Sequence, residues 1–193
     1  MTSRLVEQAQ GFIAAALRPG DIALDATVGN GHDALFLAQA AGEAGWVYGL
    51  DIQEQALAAT RERLDQAGMA DRVTLMHRDH ADLAGPLPPV PDRDIRAAMM
   101  NLGYLPGSGK GVITRAGSTL AALQGITIRL APGGRLSVLA YTRHPGGLDE
   151  ARAVCAWAHS LSPRDWDLRI RAPCHTRRSP PWLLTFTRRE EAP

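Results

Sequence analysis

The stretch 22–38 constrains the fold more than any other part of the chain. Ile22-Ala23-Leu24 is apolar and runs into Asp25. Gly29 and Gly31 follow with one residue between them, and Ala34-Leu35-Phe36-Leu37-Ala38 resumes the apolar pattern. That order reads as strand, tight glycine turn and helix. Glycines allow the backbone to approach a ligand closely, and the helix start behind the turn offers free N–H groups and a partial positive charge. Twenty residues past Gly31, Asp51 closes a second apolar run, Val47 to Leu50. A carboxylate there can accept hydrogen bonds from both hydroxyls of a ribose. Together they point to a nucleotide or nucleoside cofactor in an α/β sheet. The structural alternative is a βα turn whose glycines serve packing alone.

Two cofactors compete. Gly29-x-Gly31-x-x-Ala34 fits the dinucleotide pattern G-x-G-x-x-G/A, which would make the chain an NAD-binding oxidoreductase. Asp25 stands four residues before Gly29, where its charge would oppose a pyrophosphate. It suits S-adenosylmethionine (SAM), which carries an ammonium and a sulfonium and no phosphate.

At 193 residues the chain is long enough for one domain with a substantial core and short for two, so residues 1–193 are expected to form a single domain. Its net charge of +1 excludes a globally basic nucleic-acid binder and leaves only a local patch. Cys155 and Cys174 form neither a C-x-x-C pair nor a zinc spacing. With no secretory leader and no membrane-length apolar run in the sequence, a reduced, cytoplasmic protein is expected.

Apolar spacing predicts an amphipathic helix over 3–18 and another from the glycine turn to about 41. It predicts a strand over 46–52, a helix over 53–67 and a strand over 73–76. Residues 84–92 hold four prolines and read as a loop. The apolar run 95–100 reads as a strand covered on both faces, with a long loop from Asn101 to Lys110. A helix over 118–130, a strand over 135–141, a loop over 142–147 and a helix over 148–161 follow. Two strands, 166–170 and 182–188, close the chain without a helix between them. The expected fold is therefore α/β and Rossmann-like: seven strands, mostly parallel, one antiparallel, with helices on both faces. The loops after residues 24, 50, 76, 100 and 141 all follow strands, so they should gather at one sheet edge and form one site.

Asp79 and His80 end the third strand, where a carboxylate can accept a hydrogen bond from an adenine amino group. Capping of the next segment is the structural alternative for Asp79. His77 and His80 show no third ligand, so no metal is expected. Asn101 directly follows a buried strand. Its carbonyl, with neighbouring backbone carbonyls, can hold an amine with its lone pair toward an electrophile. Tyr104 can stack on a base. A turn that selects Asn and Gly for backbone conformation is the alternative.

Four stretches together resemble a family. Asp25-Ala-Thr-Val-Gly-Asn-Gly-His-Asp33, Asp51-Ile-Gln53, Asn101-Leu-Gly-Tyr-Leu-Pro-Gly107 with Lys110, and His144-Pro-Gly-Gly147 are similar to the small class I methyltransferases of the rRNA-methylase type. These include the tRNA wobble-uridine methyltransferases, which convert 5-aminomethyl-(2-thio)uridine at position 34 to its 5-methylaminomethyl form. The resemblance spans nearly the whole chain. It implies SAM as cofactor and tRNA, through its anticodon stem-loop, as substrate, and it admits a homodimer. Asn101 to Tyr104 also resembles the Asn/Asp-Pro-Pro-Tyr loop of amine methyltransferases. The sequence departs from the family at Ser108-Gly109 and at Thr142-Arg143, both in substrate-facing loops.

On this reading Asp25, Thr27, Gly29, Asn30, Gly31, Asp33, Asp51, Gln53, Asp79, His80 and Asn101 bind the cofactor. Asn101, Tyr104 and His144 serve catalysis, with His144, Asp33 and Tyr141 or water open as proton acceptors. Gly103, Tyr104, Lys110, Arg143, Arg177 and Arg178 touch the substrate. For His32 and Asp33, capping of the helix is the alternative. Arg164, Arg169, Arg171, His175, Arg188 and Arg189, with Lys110, Arg115 and Arg143, are candidates for an RNA-facing patch. A methyltransferase acting on rRNA or a small-molecule amine is the alternative function.

Overall fold

The computed structural model describes residues 2–92, 94–105, 112–172 and 181–190. Seven strands form one sheet in the order β3-β2-β1-β4-β5-β7-β6. They are β1 (Ile22–Asp25), β2 (Trp46–Asp51), β3 (Val73–His77), β4 (Ile95–Leu102), β5 (Leu130–Ala140), β6 (Trp166–Arg171) and β7 (Trp182–Arg188). β7 runs antiparallel to both of its neighbours, and the other pairings are parallel. The hairpin from β6 to β7 needs no crossover, which is why the last strand reverses.

Among the described residues, five helices cover the sheet: α1 (Thr2–Ala14), α2 (His32–Ala41), α3 (Glu54–Gln66), α4 (Ala116–Arg129) and α5 (Gly147–Ser160). Side chains alternate across each strand, so the sheet feeds two cores. One gathers Leu24, Leu50, Met100, Leu123, Val154 and Phe186 on the α4–α5 face. The other gathers Ala9, Ile13, Leu37, Val47, Leu64 and Met99 on the α1–α3 face. On the first face α4 lies hard against the 3-10 turn His80–Ala84: a Cβ at Gly125 would fall 1.8 Å from the Leu83 carbonyl. The buried Arg129 guanidinium donates to the Leu83 and Gly85 carbonyls and fastens that turn to the helix.

Several boundaries differ from the sequence expectation. α1 stops at Ala14 rather than 18, although the apolar spacing continues. β5 begins at Leu130 rather than 135, so Ala131-Pro-Gly-Gly134 lies inside the strand, beside a register shift against β4 between Ile95 and Ala97. β4 extends to Leu102, which puts Asn101 in the strand and not in the loop beyond it. A parallel partner continues to pair there: Asn101 sits opposite Leu139 and Leu102 opposite Ala140.

Candidate active site

The strand order reverses between β1 and β4, and in open α/β sheets a crevice opens beyond the carboxyl ends at such a point. The molecule has one there, of about 1530 Å³. A pocket enclosing one drug-sized ligand takes roughly 300–1,000 Å³, so this one has room for a cofactor and a second molecule. The segments after β1, β2, β3, β4 and β5 all contribute to its wall.

The glycine turn forms the floor. Gly29 has φ of 53°, and its N–H donates to Asp51 Oδ2 at 2.9 Å. The other oxygen of Asp51 accepts from the Gln53 N–H, also at 2.9 Å. Asp51 is thus fixed by two backbone amides at the tip of β2, and it lines the crevice with Asn30 and Gln53. At the tip of β3, Asp79 and His80 line it too. Asp79 caps the 3-10 turn by accepting from the Ala81 N–H at 2.9 Å. His80 stands 3.2 Å from the Ser118 hydroxyl, which itself donates to the Arg115 carbonyl. His80 Nε2 is therefore the donor in that contact. Burial lowers the His80 pKa against the opposing pull of Asp79.

Asn101 is held at two points. Its backbone N–H donates to Thr27 Oγ1 at 2.7 Å, which joins the tips of β4 and β1. Its Nδ2 donates to Asp33 Oδ2 at 2.6 Å. A carboxylate only accepts, so this bond dictates which end of the amide is which. The nitrogen faces Asp33, and Oδ1 is left as the acceptor. Asp33 lies in the first turn of α2, is buried, and takes a second amide at Oδ1, from Gln10 at 2.7 Å. Gln10 belongs to α1 and lines the crevice with Val6. Sequence reasoning missed both. The available signal was their i, i+4 spacing on one face of α1.

Two of the residues expected to bind the cofactor, Asp25 and Gly31, lie off the crevice wall. Asp25 is fully buried and does not line the crevice. Its Oδ1 accepts from the Thr27 N–H at 3.2 Å, and its Oδ2 has no partner among the described residues. Burial, with Asp33 and then Asp51 adding repulsion, pushes its carboxyl well above the ordinary range, against the Thr27 and Ala34 amides. It lies beneath the crevice wall. Gly31 also leaves the wall. Its φ is 76°, and a Cβ on it would come within 2.7 Å of the Thr60 hydroxyl, so it serves the packing of α2 against α3. Of the backbone carbonyls expected to help Asn101, Leu102 O accepts from Tyr141 N at 3.0 Å and Gly103 O from Thr114 N at 2.9 Å, and each keeps a second lone pair.

Gly103, Tyr104, Thr27, Arg143 and His144 all line the crevice. Tyr104 is 40% exposed and meets the His144 ring edge to face, with centroids 6.2 Å apart. His144 is buried, with Nδ1 3.1 Å from the Pro145 carbonyl and Nε2 packed over Gly147. Nδ1 facing a carbonyl carries the proton. Burial, reinforced by Asp33, raises the Tyr141 phenol pKa, so Tyr141 keeps its proton at neutral pH. Glu150, buried at the start of α5, accepts from Thr114 Oγ1 at 2.7 Å and Thr119 Oγ1 at 2.6 Å. It ties the far wall together.

Of the arginines expected to face RNA, Arg115 and Arg143 line the crevice. Arg171 donates to Gln8 and Arg188 to the Leu130 carbonyl, while Arg169 lies 3.6 Å from Asp167. Lys110, His175, Arg177 and Arg178 lie outside the described residues. Among the described residues no three His, Cys, Asp or Glu side chains cluster to hold a metal ion, and no helix is long and apolar enough to cross a membrane.

Residues 47–187 match the family model described as "Putative rRNA methylase". Among curated proteins, the chain is 39% identical over 158 residues to the chloroplastic tRNA (mnm(5)s(2)U34)-methyltransferase of Arabidopsis thaliana, covering 78% of this chain and 57% of that protein. It is 34% identical over 101 residues to ribosomal RNA small subunit methyltransferase H of Bifidobacterium adolescentis, covering 51% of this chain and 29% of that one. The chain thus spans little more than half the first of these relatives and less than a third of the second. Among solved structures, a "putative rRNA-methylase" from Clostridium thermocellum superposes with a TM-score of 0.88 at 30% identity over 95% of this chain and 96% of that one. A "putative methyltransferase" from Streptococcus mutans, in complex with S-adenosylhomocysteine (SAH), superposes at 0.84 with 35% identity over 97% and 99%. The fold, the order of the strands and the matched residues place this chain in the rRNA-methylase family of class I methyltransferases.

Proposed function

We propose that the chain is a SAM-dependent N-methyltransferase that converts 5-aminomethyl-(2-thio)uridine at the tRNA wobble position to 5-methylaminomethyl-(2-thio)uridine. The observation that carries this reading is Asn101. Its nitrogen is committed to Asp33, which leaves Oδ1 as an acceptor in a crevice large enough for two ligands. That arrangement suits an amine as the group to be oriented.

The residues present fit SAM. Three carboxylates, Asp33, Asp51 and Asp79, line the crevice on the side of the glycine turn. Such a wall opposes a pyrophosphate and suits a cationic cofactor, which disfavours NAD. Asp51 would accept from the ribose hydroxyls, Asp79 and the His80 backbone would face the adenine, and Asp33 would face the ammonium. When bound, SAM supplies a methyl group activated by its sulfonium. Asn101 Oδ1 accepts an N–H of the incoming amine and turns the nitrogen lone pair toward that methyl. Orientation of this kind can be worth several kcal/mol. Tyr104 offers a stacking face, and Arg115 and Arg143 supply positive charge for RNA phosphates.

The name of the Arabidopsis relative supports tRNA as the substrate. The similarity to a small-subunit rRNA methyltransferase favours rRNA as the second reading. Deleting the gene and measuring wobble nucleosides by mass spectrometry tests the proposal. Accumulation of the unmethylated aminomethyl nucleoside is expected. Unchanged tRNA with an undermethylated rRNA would support the second reading instead.

A further inference from the structure

The N-terminal helix brings one polar side chain to the reacting end of the crevice. Gln10 Nε2 lies 2.7 Å from Asp33 Oδ1, while Asn101 Nδ2 lies 2.6 Å from Asp33 Oδ2. Each carboxylate oxygen therefore holds one amide. The terminal torsions of Asp and Asn are soft, with broad preferences. A carboxylate gripped at one oxygen can turn about its axis, and Asn101 would turn with it. Gripped at both oxygens, it fixes the plane of the Asn101 amide and the direction of Oδ1.

α1 is itself braced on both sides of Gln10. Arg171 Nη1 donates to Gln8 Oε1 at 2.9 Å. Arg135 Nη1 donates to the Phe12 carbonyl at 2.7 Å, and its guanidinium lies 4.8 Å from the Phe12 ring centre. These braces come from β6 and β5, the same sheet that carries Asn101, so the clamp has a rigid mount. Gln10 also lies outside residues 47–187, where the family model matches.

We propose that Gln10 is a positioning residue: through Asp33 it orients the Asn101 amide and so the amine that Asn101 receives. This rests on the N-methyltransferase reading. Gln10 itself touches Asp33, and its effect on the reaction passes through Asn101.

The test uses the full chain with Gln10→Met, which keeps the length and loses the donor, and Gln10→Glu, which sets a carboxylate against a carboxylate. Steady-state methyl transfer to undermethylated tRNA gives kcat and KM, and calorimetry gives SAH affinity. The side-chain 15N–1H resonances of Asn101 are recorded without ligands. Gln10→Met is expected to lower kcat about tenfold or more, the scale at which misorientation acts, with KM and SAH affinity within about twofold. Gln10→Glu should be slower still, and the Asn101 amide resonance should shift in both. Wild-type kcat in Gln10→Met, an unmoved Asn101 resonance, or a loss confined to KM or SAH affinity would overturn the inference. A wild-type protein inactive on every tRNA would instead remove the functional reading, and the resonance would still decide whether Gln10 orients Asn101.

Discussion

Replacing Asp25 by asparagine separates a carboxyl beneath the site from a carboxylate within it. Asp25 is fully buried, and its Oδ2 has no partner among the described residues. Burial and the Asp33 charge hold its proton in the folded state at pH values where an exposed Asp, with a pKa near 3.8, has lost it. In that window the folded chain binds more protons than the unfolded chain, so stability falls as pH rises. The slope from this one group is about 1.4 kcal/mol per pH unit, and it ends where the folded carboxyl ionises. The Asp25→Asn side chain would have the same shape, could still accept from the Thr27 amide, and does not titrate. The stability of this variant relative to the natural chain should therefore grow as pH rises above the ordinary Asp range, for as long as the folded carboxyl keeps its proton. Urea unfolding at stepped pH measures this, with SAH calorimetry on the same samples. SAH affinity should change less than about threefold, because Asp25 does not face the crevice, equivalent to a difference below about 1 kcal/mol. A gap that stays flat or narrows as pH rises, or a tenfold loss of SAH affinity, would refute the reasoning.

Other outcomes follow from the same geometry. Asp51→Asn should weaken SAH binding about tenfold, since a charged acceptor held by the Gly29 and Gln53 amides becomes neutral; calorimetry measures it. Gly31→Ala should destabilise the fold by more than Gly68→Ala. Both glycines have positive φ, but only Gly31 meets a neighbour, Thr60, whereas nothing lies within 4 Å of a Cβ at Gly68; thermal unfolding of the pair should differ by about 1 kcal/mol or more. Arg143→Ala should weaken tRNA binding and reduce the slope of log affinity against log salt by about one, in filter-binding titrations across salt concentration.

The architecture was legible because apolar runs at β1, β2 and β4 alternate with helical spacing at α2 and α3. That alternation dictates a parallel sheet, and the lack of a helical pattern in the sequence between the last two strands predicts that one of them is antiparallel, which is β7. Asp51 and Asn101 near the ends of β2 and β4, and Asp79, Tyr104 and His144 just beyond β3, β4 and β5, all reach one edge. What the chain hid were contacts between distant segments. An acidic residue at the end of β1 reads the same whether it faces the crevice or lies under it, and only the packing around Asp25 distinguishes the two. Gly31 resembles a ligand-binding glycine until Thr60, from the next helix, is found against it. Gln10 lies 23 positions from Asp33, on a helix whose pattern shows only amphipathicity.

The central claim is that Asn101, fixed by Asp33, presents an amine of tRNA for methylation. Purified natural chain and Asn101→Ala, each incubated with isotope-labelled SAM and tRNA from a strain lacking this gene, test it directly by mass spectrometry of the wobble nucleoside. The natural chain should place the label on the aminomethyl nitrogen. Asn101→Ala should be slower by about 100-fold or more, the order expected when orientation is lost, while still binding SAH. Label absent from the wobble nucleoside, or equal transfer by both proteins, would contradict the account.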